Sequence, residues 1–233
     1  MMEVNLVSYS QADGNFLIDS ASAMEMVAYC ARVSNPDNQM NTETSERLLK
    51  YLIKHKHWSP FEMVSACMEI KTTRDIARQI LRHRSFSFQE FSQRYAVADK
   101  FVYREARLQD PKNRQASIEL DLDNMGKGGN KTQQELLAEK WMEKQKEVID
   151  VAKDAYRWAL DQGIAKEQAR AVLPEGNTVS TLYVNGTLRS WIHFIELRSG
   201  METQKEHRLV AQACGQAISK IFPTSVWHQD WEW

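Results

Sequence analysis

The sequence lacks an excess of charge of either sign. In its 233 residues, 30 Lys and Arg stand against 31 Asp and Glu, which leaves a formal net charge of -1. Without a global field of one sign, the chain has no long-range attraction for nucleic acid or for an anionic membrane surface. Any anion that it binds must therefore be held by a local cluster of basic side chains.

Cysteine is also scarce. The three cysteines, Cys30, Cys67 and Cys214, are widely spaced and form no C-x-x-C pair, so neither a disulfide framework nor a zinc knuckle is indicated. We interpret each as a small apolar side chain of the interior. An odd number of unpaired thiols favours the reducing cytoplasm as the compartment.

Long apolar runs are missing as well. No run approaches the roughly 18 residues that a membrane span needs. Residues 1–19 lack the basic region and the apolar region of a signal peptide. We therefore expect no membrane partner.

Several familiar ligand-binding motifs are absent. The chain contains neither G-x-G-x-x-G nor G-x-x-x-x-G-K-[ST], so a bound phosphate would have to be held by side chains. His55 and His57 form an H-x-H pair, but the other histidines show no H-E-x-x-H or similar spacing. We predict no metal site.

The hydrophobic pattern predicts few strands and many helices. We expect strands at 4–10, 62–71 and 178–186, and helices at 22–34, 44–58, 72–84, 133–163, 165–174, 187–197 and 202–222. Because these elements do not alternate regularly, we predict an α+β fold with a small, mostly antiparallel or mixed sheet surrounded by helices, and not a Rossmann sheet. We expect one domain over residues 1–233, with a polar surface insertion at about 109–132.

One basic stretch concentrates the chemistry. Residues 82–95, "RHRSFSFQEFSQRY", place Arg82, His83, Arg84 and Arg94 among serines and aromatic rings. Arginines bind phosphate through paired hydrogen bonds, and a compact cluster suits a mononucleotide or a cofactor pyrophosphate better than a polymer. A surface for single-stranded nucleic acid and a purely structural hub of salt bridges remain as alternatives.

Other polar residues extend this interpretation. Helical spacing places Gln79 on the same face as Arg82 and His83. Ser92 has no G-x-S-x-G elbow, so we interpret it as a hydroxyl donor to an anion and not as a nucleophile. Arg170 and Arg198 end helices, where the helix dipole alone would favour a cation. The residues by themselves thus predict a site for phosphorylated ligands, without specifying a reaction.

The motif R-H-R-x7-S, formed by Arg82, His83, Arg84 and Ser92, resembles the signature of flavin-dependent thymidylate synthases. The resemblance extends to "AYCARVS", "HKHWSPFE" and "ARQILRHR" before the motif, and to "ARAVLP" and "VNGTLRSWIHFIELR" after it. It covers most of the chain except the insertion near 109–132 and the C-terminal tail.

The resemblance implies reductive methylation of dUMP to dTMP. It implies 5,10-methylenetetrahydrofolate as the carbon donor, NADPH-reduced FAD as the hydride donor, and no cysteine nucleophile. It also implies a cytoplasmic homotetramer in which active sites are shared between subunits, with no nucleic-acid partner.

The same resemblance implies roles for individual residues. FAD would be contacted by Ser34, His57, Ser59, Glu62, Arg82, His83, Arg84, Glu90, Thr187, Leu188, Arg189 and His193. The substrate dUMP would be held by Gln79, Arg82, Glu90, Phe91, Ser92, Gln93, Arg94, Arg170 and Arg198. Arg198 would also be the catalytic residue, since an arginine at this position favours loss of the uracil N3 proton.

Overall fold

A computed structural model describes residues 2–13, 21–122 and 132–223. The strands in these ranges are β1 (Glu3–Tyr9), β2 (Ser65–Thr73), β3 (Ser87–Glu90), β4 (Arg107–Gln109), β5 (Ser117–Glu119) and β6 (Val179–Thr187). The helices are α1 (Ala23–Ala31), α2 (Ser45–Lys54), α3 (Arg74–Ile80), α4 (Gln133–Asp161), α5 (Lys166–Ala169), α6 (Leu188–Arg198) and α7 (Lys205–Ile218). Short 3-10 turns lie at Pro36–Asn38, Ser59–Glu62 and Arg170–Val172.

The centre of the fold is a four-stranded sheet in the order β1-β2-β6-β3. Strands β2 and β6 pair antiparallel from Ser65 opposite Thr187 to Thr73 opposite Val179. β1 pairs antiparallel with β2, and β3 pairs antiparallel with β6. The predicted α+β class is confirmed, and the described sheet contains none of the parallel pairs that a Rossmann fold requires.

The core lies between this sheet and the helices. Met68 and Ile70 of β2 and Leu182 and Val184 of β6 are fully buried, since alternate strand residues point to one face. Helix α6 packs on them, and its Trp191 donates an indole hydrogen bond to the carbonyl of Ala66 at 3.0 Å. Contacts with the sheet thus hold α6 in a fixed position. This matters because α6 carries predicted site residues. No helix of the described ranges combines the length and apolar composition needed to cross a bilayer.

Several element boundaries differ from the predictions. Helix α3 ends at Ile80, and the chain then turns into β3, a strand that the sequence pattern did not predict. The cause is packing, because Phe86 after the turn contacts Trp191 with ring centroids 4.5 Å apart. Strand β2 begins at Ser65 instead of residue 62, since the 3-10 turn Ser59–Glu62 precedes it.

The predicted insertion at about 109–132 is partly structured. Its first part belongs to an antiparallel hairpin of β4 and β5, in which Leu108 pairs with Ile118. The hairpin is fastened to α7 by ion pairs of Lys205 with Glu119 and of Arg107 with Glu206. Residues 123–131 of the insertion and 224–233 of the tail lie outside the described residues.

Candidate active site

The R-H-R motif forms the turn between α3 and β3. The backbone N–H of His83 bonds the carbonyl of Ile80 at 3.0 Å, and that of Phe86 bonds the carbonyl of His83 at 3.3 Å. This turn leaves Arg82 and Arg84 exposed and points His83 inward. The His83 ring meets Phe194 of α6 edge to face, with centroids 4.9 Å apart.

Arg198, at the end of α6, reaches His83. Its Nε donates a hydrogen bond to His83 Nε2 at 3.0 Å. Because a guanidinium can only donate, His83 accepts at Nε2 and is the neutral Nδ1–H tautomer. Burial and then the positive charge of Arg198 lower the pKa of His83 to about 4. The site therefore holds a permanent cation against a neutral histidine.

Gln79 of α3 is linked to the pair of Arg198 and His83 by residues at the start of α7. Its Nε2 donates to Gln204 Oε1 at 2.8 Å, and its Oε1 lies 3.1 Å from Nδ1 of His207. His207 is completely buried, and its ring lies 6.3 Å from that of His83. The predicted residues Gln79, His83 and Arg198 are thus brought together. His207 was not predicted, although a histidine among the apolar positions of a helix was a signal that could have drawn attention to it.

A second group of predicted residues meets at the amino end of α6. Glu62 forms an ion pair with Arg189. Thr187 caps the helix by accepting from the Ser190 N–H at 3.3 Å, and the ring of His193 lies 4.5 Å from Trp58. Burial and then the charge of Arg189 lower the pKa of His193.

The remaining cofactor predictions are placed around this end of α6. Leu188 is fully buried, so its side chain supports the helix. Ser59 belongs to the same 3-10 turn as Glu62, which packs on α6, while His57 is exposed just before that turn. Ser190 Oγ donates to the carbonyl of Ser85 at 3.2 Å and so connects this end of α6 to the R-H-R turn. Ser34 lies apart, in the exposed turn after α1.

A third group of predicted residues lies at the carboxyl end of β3 and near Glu167. Glu90 Oε1 accepts from Ser180 Oγ at 2.8 Å and from Arg74 at 3.2 Å. Arg94 and Arg170 both approach Glu167, the first through its carboxylate at 3.5 Å and the second through its carbonyl at 3.3 Å.

Ser92, Gln93 and Phe91 follow β3 in the same segment. Phe91 is partly exposed, whereas Gln93 is buried with its Nε2 lacking a hydrogen-bond partner. Ser92 Oγ accepts from the Arg94 N–H at 3.4 Å. Within the described ranges, no side-chain hydrogen bond or ion pair joins the third group to Gln79, His83 or Arg198. The predicted substrate residues therefore do not form one hydrogen-bonded network in a single subunit.

Several of the predicted site arginines differ from arginines of the scaffold in their partners. Arginines of the scaffold have carboxylates, as Arg74 has Glu90 and Arg104 has Asp75. Among the residues that the structure describes, Arg82, Arg84, Arg170 and Arg198 have no carboxylate within ion-pair distance. A structural hub of salt bridges would pair these four cations with carboxylates, so the ion pairs of the described residues do not support that alternative.

Among the described residues, neither the three cysteines nor Ser92 has the surroundings of an activated nucleophile. Burial raises the pKa of the thiols of Cys30, Cys67 and Cys214, which disfavours the thiolate. Within the described residues, Ser92 Oγ contacts no histidine that could serve as its base. The fold and the site together suit an α+β protein that would bind anionic ligands through arginines and work without a reactive thiol.

Comparison with known proteins identifies the family. Residues 16–224 match the family described as "Thymidylate synthase complementing protein". The chain is 47% identical over 211 residues to the probable flavin-dependent thymidylate synthase of Paramecium bursaria Chlorella virus 1, covering 90% of this chain and 92% of that protein. It is 45% identical over 231 residues to the flavin-dependent thymidylate synthase of Synechocystis, covering 99% of this chain and 100% of the relative. The chain therefore belongs to the flavin-dependent thymidylate synthase family.

A solved structure supports the same assignment. The UMP/dUMP methylase PolB of Streptomyces cacaoi, bound with 5-Br dUMP, superposes with a TM-score of 0.77 at 28% identity. The match covers 97% of this chain and 93% of that one.

The residues present fit a flavin dinucleotide. Arg82 and Arg84 are exposed, lack carboxylate partners within the described ranges and flank one turn, which suits a pyrophosphate. The polar side chains of Ser59, Glu62 and Arg189 line the neighbouring end of α6.

Proposed function

We propose that the protein catalyses the reductive methylation of dUMP to dTMP. In this proposal 5,10-methylenetetrahydrofolate supplies the carbon and NADPH reduces a bound FAD. The observation that carries the proposal is that four arginines which the resemblance assigns to the ligands, Arg82, Arg84, Arg170 and Arg198, have no carboxylate partner in the described residues. Together with three thiols of raised pKa, it favours a reaction whose chemistry comes from a cofactor and not from an enzyme nucleophile.

The FAD would supply the hydride, and the chain would hold it. Arg82 and Arg84 would bind its pyrophosphate. Further contacts would come from residues around the R-H-R turn and the amino end of α6: His57, Ser59, Glu62, His83, Thr187, Leu188, Arg189 and His193. Ser34, in the turn after α1, and Glu90, at the end of β3, would complete the set.

The substrate would be held by its anionic groups. Ser92, Arg94 and Arg170 would bind the phosphate and sugar of dUMP, helped by Gln79, Glu90, Phe91 and Gln93. Arg198 would face the uracil ring. Because a guanidinium stays protonated, Arg198 would stabilise the anion that forms on loss of the N3 proton and would not itself transfer a proton. The neutral ring of His83 holds this guanidinium at Nε while leaving its terminal NH2 groups to donate.

We also propose that active sites are shared between subunits of a homotetramer. The lack of a hydrogen bond or ion pair between Arg94 or Arg170 and the Arg198 group in the described residues supports this, since a second copy could complete the set. Exposed apolar side chains on α4, among them Trp141, Val151 and Trp158, offer a surface for such contacts. We propose further that the chain forms one domain and acts in the cytoplasm. The free cysteines agree with that compartment.

The test is an omission series. Purified protein is incubated with dUMP, methylenetetrahydrofolate, NADPH and FAD, and dTMP is measured by chromatography while each component is left out in turn. We expect dTMP only when all are present. A parallel reaction with UMP tests the choice of sugar. Formation of dTMP without added or bound flavin would contradict the proposal.

A further inference from the structure

A chain of hydrogen bonds runs from Glu206 through two glutamines to His207. One Glu206 oxygen pairs with Arg107 and the other accepts from Gln204 Nε2 at 2.9 Å. Burial alone would raise the pKa of Glu206, but bonds from Arg107, its own N–H and Gln204, together with the charge of Arg104, lower it to about 2. Glu206 is therefore an ionised, accepting anchor.

The ionised Glu206 determines which atom donates and which accepts in each hydrogen bond of the chain. Because a carboxylate only accepts, Gln204 turns its NH2 group to Glu206 and its oxygen to Gln79. Gln79 must then give an N–H to Gln204 and turn its oxygen to His207 Nδ1 at 3.1 Å. His207 has to donate from Nδ1, and its Nε2 carries no proton in the neutral ring.

Apart from the bond to Gln79, nothing in the surroundings of His207 requires a histidine. Its ring is completely buried next to Phe194, with centroids 5.7 Å apart, and Nε2 has no hydrogen-bond partner. Its neighbours on the inner face of α7, Val210, Ala211 and Cys214, are small or apolar and buried. A buried nitrogen without a partner costs stability, which an apolar side chain would avoid. The ring therefore contributes through its bond to Gln79 and not through packing alone.

We infer that His207 is a positioning residue for dUMP binding, which acts by fixing the orientation of the Gln79 amide. With its oxygen held by His207 and one N–H held by Gln204, Gln79 keeps its second N–H for the ligand. The amide thus presents a donor to the oxygens of a phosphate or sugar. This inference rests on the proposed function, in which Gln79 contacts dUMP.

The variants His207→Asn and His207→Leu test the inference. Both side chains branch at Cγ, so they have the same shape, but only asparagine places an N–H donor where Nδ1 was. Binding of dUMP to FAD-loaded protein is measured by calorimetry. We expect the leucine variant to bind about three- to tenfold more weakly and the asparagine variant to stay within about twofold of the parent, as for one neutral hydrogen bond.

Equal binding by the leucine variant and the parent, or equal weakening in both variants, would overturn the inference. Failure of the parent itself to bind dUMP would instead contradict the proposed function. The 15N chemical shifts of the His207 ring in the parent protein give a test without ligand. We expect a protonated Nδ1 and a bare Nε2, and the opposite tautomer would refute the argument even if the leucine variant did not fold.

Discussion

Replacing Arg198 with alanine separates the role of its charge in turnover from the binding of flavin. The guanidinium contacts His83 at 3.0 Å and has no carboxylate partner in the described ranges, so its loss removes a donor held ready for a developing anion. Loss of one such donor lowers kcat by about 10² to 10³. Flavin should stay bound, because the proposed FAD contacts lie at the R-H-R turn and the amino end of α6.

The same variant should change the titration of His83. With a pKa of about 4, roughly 1% of this ring is protonated at about pH 6. Burial, the larger cause, remains after the substitution, and only the smaller contribution from Arg198 disappears. We therefore expect the pKa of His83 to rise while staying below the ordinary value of 6.5.

The assays are dTMP formation, flavin absorbance per subunit and a histidine NMR titration. Arg47→Ala is the matched control, since Arg47 is exposed on α2 and is not among the proposed site residues. It should leave kcat, flavin content and the His83 pKa unchanged. A near-normal kcat in Arg198→Ala would refute the activating role, and an unmoved His83 pKa would refute the contact on which it is built.

Three further outcomes follow from other parts of the molecule. Ser92→Ala should weaken dUMP binding by about 0.5–1.5 kcal/mol in a titration without abolishing turnover; complete inactivity with intact affinity would point to a nucleophile. Gly186→Ala should cost about 1–3 kcal/mol in chemical denaturation, because the added Cβ would overlap the Phe86 ring, whereas Gly176→Ala, with open space around it, should not. The free energy of unfolding should fall as pH is lowered from 6.5 towards about 4, because the buried His83 and His207, with folded pKa values of about 4 and about 3, take up protons more readily when unfolded; a flat profile over this range would contradict the burial argument.

Local patterns were sufficient for most of the architecture. The helix predicted at 22–34 starts at Ser22, which forms a full capping box with Glu25. The helix predicted at 133–163 ends in Gly163, which has the positive φ of 77° that suits glycine there. Strand β3 was missed because its four residues contain more polar than apolar side chains, and its pairing with β6 is a long-range contact that spacing does not reveal.

The candidate site was only partly accessible to sequence reasoning. Helical spacing predicted that Gln79 and His83 lie close together. In the structure α3 ends at Ile80, and the turn after it positions His83. Arg198 reaches His83 across 115 residues, a contact that no local pattern predicts. The resemblance assigned the two residues separate roles, Arg198 at dUMP and His83 at FAD. His207 escaped because its role depends on which atoms of two glutamines face each other, and this polarity appears only in three dimensions.

A single-turnover experiment tests the central claim most directly. The flavin of the purified protein is reduced with NADPH under anaerobic conditions, excess NADPH is removed, and dUMP with methylenetetrahydrofolate is added while the visible spectrum is followed. Our account predicts that the oxidised flavin spectrum returns as dTMP forms, with one dTMP for each flavin reoxidised. Return of the oxidised spectrum without dTMP, or dTMP formation while the flavin stays reduced, would contradict it.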